Sequence, residues 1–112
     1  MAAKFELKPS TDGQVYFVLK AANGEVILTG ERYTSKASAQ KGINSVKANA
    51  PLDERYERKT SSRNEPYFVL KAANGETLGR SEMYSSTGAM ENGIASVKKN
   101  APEAEIVDLV AA

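Results

Sequence analysis

The chain has 112 residues, 41% hydrophobic and 26% charged, the balance of an ordinary globular protein. Lys and Arg number 15 and Asp and Glu 14, so a net charge of +1 supplies no global field to steer nucleic acid or an anionic membrane. Cysteine and histidine are absent, which excludes disulfides, thiolate chemistry and the commonest general base and metal ligand.

The first element in chain order is KFELK at 4–8. Phe5 and Leu7 alternate with charges, the two-residue period of a strand. Asp12-Gly13 marks a turn. QVYFVLKA follows, rich in β-branched and aromatic residues, and then Asn23-Gly24, a two-residue hairpin signal whose type I′ geometry places both residues at positive φ. EVILT returns as a third strand. A helix is expected from about Ser35 to Asn49, with Thr34 or Ser35 as N-cap and Ala39, Ile43, Val46 and Ala50 on one face. Gly42 shares that face, where glycine weakens a helix, so close helix–sheet contact is the expected reason for it. Pro51 ends the helix.

The same series then repeats at an offset of 51. YFVLKAANGE stands unchanged at 16–25 and 67–76, and GINSVKANAP (42–51) aligns with GIASVKKNAP (93–102). Lys4-Phe5-Glu6 aligns with Arg55-Tyr56-Glu57. ERYERKT (54–60) both follows the first helix and opens the second repeat. Pro66 begins a strand, where its missing N–H is tolerated. The second helix carries Ser85 or Ser86 as cap and Met90, Gly93, Ile94, Val97 and Ala101 on its face. AEIVDLV (104–110) closes the chain as a strand.

Each repeat alone would be too small for a stable core. The expectation is therefore one domain over 1–112, made of repeats at about 1–60 and 52–112 that share the strand near 54–60. A two-residue turn would place Lys20 opposite Ile27 and Leu19 opposite Leu28. Phe17, Leu19, Ala21, Val26 and Leu28 then form the core face under the helices. Tyr16, Val18, Lys20, Glu25, Ile27 and Thr29 form an open face, repeated as Tyr67, Val69, Lys71, Glu76, Leu78 and Arg80.

The pattern FELK followed by YFVLKAANGEVILTGERYTSKASAQKGINSVKANAP resembles the YegP-like family of small bacterial proteins, over both repeats. After Glu76 the second repeat departs from it, with TLGRSEMYSSTGAMENG in place of VILTGERYTSKASAQKG. The resemblance implies two tandem β3-α-β units in one chain. They would join in a single antiparallel sheet with both helices on one side, related by a pseudo-twofold axis, and exchange their last strands. The fold class is thus α+β. The family brings no activity with it.

No phosphate-binding glycine loop is present. Ser38 to Lys41 fits S-x-x-K, but the aligned Ala89 and Asn92 lack both groups, so the match reads as chance. No catalytic, metal or cofactor site is expected. Lys20 with Glu25, and Lys71 with Glu76, read as diagonal cross-strand ion pairs. Tyr33 and Tyr84 read as covers for the edge of the core.

The candidate partner-binding residues are those of the open face, Tyr16, Val18, Lys20, Ile27, Tyr67, Val69, Lys71, Leu78 and Arg80, of which Tyr16, Val18, Tyr67 and Val69 are the ones structural needs leave unexplained. They point to a non-catalytic binding or interaction module. Its partner is unknown, with a protein contact through the aliphatic side chains as one form. Single-stranded nucleic acid is the alternative, since aromatic and basic side chains on an open sheet supply stacking and phosphate contact. A net charge of +1 weighs against it. The two repeats complete each other, which implies a monomer. The N-terminal MAAKFELKPS lacks a signal-type apolar region and no apolar run is long enough for a membrane span, so a cytoplasmic protein is expected.

Overall fold

The computed structural model describes residues 3–110. Seven strands form one sheet: β1 (Lys4–Pro9), β2 (Val15–Lys20), β3 (Val26–Gly30), β4 (Tyr56–Thr60), β5 (Pro66–Lys71), β6 (Thr77–Arg80) and β7 (Glu105–Asp108). Two helices, α1 (Lys36–Asn49) and α2 (Thr87–Asn100), follow β3 and β6. The strand order is β4-β5-β6-β3-β2-β1-β7. The repeats meet at the antiparallel β3–β6 junction, where Thr29 opposes Arg80, the residue aligned with it at offset 51. The pseudo-twofold axis passes through that pair.

The last strand of the second repeat does cross to the first, but not antiparallel. β7 lies parallel to β1, with Phe5 beside Ile106. α2 carries the chain from β6 to this far edge, the long connection that a non-hairpin neighbour needs. The strand expected over 54–60 starts later, because Asp53–Arg55 form a 3-10 turn before β4.

Ser35 and Ser86 cap the helices by accepting the N–H of Ser38 and Ala89. Ala39, Gly42, Ile43 and Val46 of α1 are buried, as are Met90, Gly93, Ile94 and Val97 of α2. They pack on Phe5, Leu7, Phe17, Leu19, Leu28, Phe68 and Leu70 in a single cluster drawn from both repeats. Tyr33 and Tyr84 stack on Phe17 and Phe68 with ring centroids 6.2 and 6.3 Å apart. A Cβ on Gly42 or Gly93 would run into the hydroxyl of Tyr33 or Tyr84, so each helix glycine makes room for a tyrosine entering from the end of the third strand.

The hairpins differ from the expected geometry. Gly24 and Gly75 have φ of +88° and +89°, while Asn23 and Asn74 do not adopt positive φ. Gly24 N–H donates to Ala21 O at 2.9 Å and Ala21 N–H to Glu25 O at 2.9 Å. The loop therefore has three residues, a type I-like turn followed by a left-handed glycine. A register shift follows between Leu19 and Lys20, and between Leu70 and Lys71. Leu19 still opposes Leu28 and Val18 opposes Thr29, but Lys20 opposes Val26. Ile27 and Leu78 become the extra residues of these bulges. They belong to the core cluster, at 8% and 6% exposure, instead of the open face. Val26, expected in the core, takes the place opposite Lys20.

Candidate functional site

The face away from the helices is built from the strand positions that alternate with the core. One row crosses nearly the whole sheet: Val107, Glu6, Val18, Thr29, Arg80, Val69 and Glu57, each beside the next. Val18 and Val69 are buried, at 5% and 4% exposure, yet stand outside the core cluster. Tyr16 and Tyr67, half-buried, lie two residues earlier on β2 and β5, beside Lys8 and Lys59.

Lys20 and Lys71 do not pair with Glu25 and Glu76. Lys20 Nζ lies 3.0 Å from Glu6 on β1, and Lys71 Nζ 3.3 Å from Glu57 on β4. The neighbouring outer strand offers each lysine a carboxylate on the diagonal, since Glu6 opposes Val18 and Glu57 opposes Val69. Lys4 and Lys8 also reach Glu6, at 3.5 and 3.7 Å, and Lys59 reaches Glu57 at 3.2 Å. A lysine hydrogen bond, Lys20's above all, holds the Glu6 carboxyl below its ordinary range. Lys59 and then Lys71 do the same for Glu57. Both glutamates were missed in the sequence, although FELK and YERK carry glutamate at aligned positions.

The strand positions of this face hold Lys4, Lys8, Lys20, Lys59, Lys71 and Arg80 against Glu6, Glu57 and Glu105. Basic groups are thus in surplus here although the whole chain is nearly neutral. Arg80 makes no ion pair among the described residues. Two shallow depressions adjoin at the axis. One is lined by Tyr16, Ser10, Thr29 and Arg32, the other by Thr29, Glu31, Arg32, Arg80 and Ser81. Arg32 is partly committed to Asp12, at 3.5 Å.

The helix side has a different electrostatic structure. Arg58 bonds Glu91 at 2.6 Å and Asp53 at 3.1 Å, and Lys98 reaches Asp53 at 2.7 Å. These contacts tie β4 to α2 and lower the carboxyl pKa of Asp53, chiefly through Lys98, and of Glu91, chiefly through Arg58. No group of three or more acids that could hold a metal ion occurs among the described residues. No helix among them is long and apolar enough to cross a membrane.

Comparison with known proteins places this architecture. The model of a family described as "Domain of unknown function (DUF1508)" matches twice, at residues 10–57 and 61–108. UPF0339 protein YegP of Escherichia coli strain K12 is 56% identical over 108 residues, covering 96% of this chain and 98% of that protein. A UPF0339 protein of Bordetella pertussis is 58% identical over 108 residues, covering 96% of each. The solution NMR structure of the E. coli protein of unknown function yegP superposes with a TM-score of 0.94 at 54% identity, covering 100% of this chain and 97% of that one. That of a UPF0339 protein from Shewanella oneidensis gives 0.91 at 50% identity, covering 97% and 92%. The chain belongs to this family, in its tandem-repeat form, and none of these relatives is described by a biochemical function.

Proposed function

We propose that this chain is a non-catalytic binding module that engages its partner through the open face of the sheet. The observation that carries the reading is the pair Val18 and Val69, buried outside the core on the same face as Tyr16, Tyr67 and lysines of both repeats. A face needed only for solubility has no use for aliphatic and aromatic side chains repeated about an axis. A general acid at neutral pH needs a raised carboxyl pKa. The carboxyl shifts here run downward, each with a basic or hydrogen-bonding neighbour as its main cause, which supports binding over catalysis. The same reading takes a single chain as the working unit, since its repeats complete each other, and sets it in the cytoplasm.

The test is positional cross-linking in living cells. A photoreactive residue is placed at Tyr16, Tyr67 or, on the helix side, exposed Lys41. Discrete adducts from the two tyrosine positions and none from position 41 are expected. Adducts from position 41 alone would overturn the assignment of the face.

A further inference from the structure

We infer that the open face takes single-stranded nucleic acid, along a diagonal track from Tyr16 through Arg80 to Tyr67; this rests on the open face being the binding surface. The track follows from the register. Tyr16 and Tyr67 precede the Val18–Thr29–Arg80–Val69 row by two residues on β2 and β5, which run in opposite directions. They therefore lie at opposite corners of the sheet centre. Three strand spacings across and four residues along separate them by roughly 20 Å. That length compares with the shortest sites, about four nucleotides, of oligonucleotide-binding folds.

Charge follows the same diagonal. Lys8 stands beside Tyr16 and Lys59 beside Tyr67. Arg80 stands at the centre with no ion pair among the described residues. The two depressions that meet at Thr29 open along the Tyr16 to Arg80 half of this line and add Arg32, beside Glu31. Lys20, on the other diagonal, sits closest to Glu6, at 3.0 Å, while Lys59 and Lys71 share Glu57 almost equally, at 3.2 and 3.3 Å. Glu6 neutralises one charge among Lys4, Lys8 and Lys20, and Glu57 one between Lys59 and Lys71. The surplus is left for phosphates. Half-buried tyrosine rings that hold no hydrogen bond among the described residues offer a surface for base stacking, which tolerates any base. An open sheet face fits an unpaired strand better than a duplex, because no helix stands on it to enter a groove.

Fluorescence anisotropy with a labelled oligothymidylate of about ten nucleotides tests this. Binding is expected to weaken about twentyfold between 50 and 200 mM salt, as three phosphate contacts on a single strand require. Tyr16→Leu and Tyr67→Leu should each weaken it at least fivefold. Arg80→Gln should weaken it about threefold and flatten the salt dependence, and the helix-side pair Lys41→Gln with Lys99→Gln should change it less than twofold. Circular dichroism melts check that each variant is folded. Equal binding to heparin and to the oligonucleotide, indifferent to both tyrosines, would overturn the proposal. No binding at 50 mM salt, with cross-links from position 16 retained, would overturn the nucleic acid and leave the face. Binding lost only in the helix-side variant would overturn both.

Discussion

The two repeats share one fold but differ where each meets something its counterpart does not. At the axis the third strands face each other, and only one large side chain fits. The first repeat supplies Leu28, fully buried; the second supplies Gly79 at the aligned position. A Cβ on Gly79 would stand 2.8 Å from Leu28 Cγ. At the outer strands the contrast is between Leu7 and its aligned residue Arg58. β7 flanks β1 and Leu7 is fully buried, whereas β4 is the edge of the sheet and Arg58 is tied to Glu91 and Asp53. Charges on an exposed edge discourage pairing with other chains. These two departures of the second repeat are thus placed where symmetry cannot be satisfied, and the open face keeps its tyrosine, valine and lysine in both halves.

Exchanging the axis residues strikes at this comparison hardest. Leu28→Ala should cost about 2–5 kcal/mol in urea unfolding, and Gly79→Leu a comparable amount by overpacking. The swapped pair, Leu28→Gly with Gly79→Leu, should recover at least half of the combined loss. No recovery would mean that the two positions do not share one space.

A smaller effect separates the glutamates. Glu6→Gln leaves three lysines around a neutral amide at a site only 7% exposed, and should cost about 1.5 kcal/mol at pH 7. Glu57 is more exposed and holds two lysines, so Glu57→Gln should cost less. Both carboxyls have lowered pKa values in the fold, so their contribution is present above the unfolded value of about 4.3 and fades as pH falls through the folded one. Stability curves of Glu6→Gln and the parent should converge below about pH 4. A gap that stays constant well below that pH, with the carboxyl protonated, would assign the loss to packing.

The smallest change is expected at the edge. Arg58→Leu should alter stability by less than about 1 kcal/mol, because its partners are solvent-exposed. It should raise self-association in sedimentation velocity. A variant that stays monomeric would reduce the Leu7–Arg58 contrast to one of ion pairing alone.

Much of this was legible in the letters. The alternation of Phe5, Leu7, Phe17 and Leu19, the capping serines, the helix faces and the tandem architecture follow from local chemistry. Tyr16, Val18, Lys20 and their aligned residues stand on the open face as the alternation predicts. Ile27 and Leu78 do not, because the loop is one residue longer than the Asn-Gly signal suggests and a bulge shifts the register. No residue type marks that bulge, since Val26 and Ile27 would suit either face. The parallel placement of β7 was hidden because it depends on which edge lies near the end of α2. The local charge surplus was hidden because a net charge averages over both sides of the sheet.

The most direct test of the open face follows backbone amide shifts as oligothymidylate is added to the isotope-labelled protein. The largest shifts are expected at Tyr16, Thr29, Arg80 and Tyr67, on four strands but one face, with α1 and α2 little changed. Shifts confined to the exposed side of the helices, or none at saturating oligonucleotide in low salt, would contradict it.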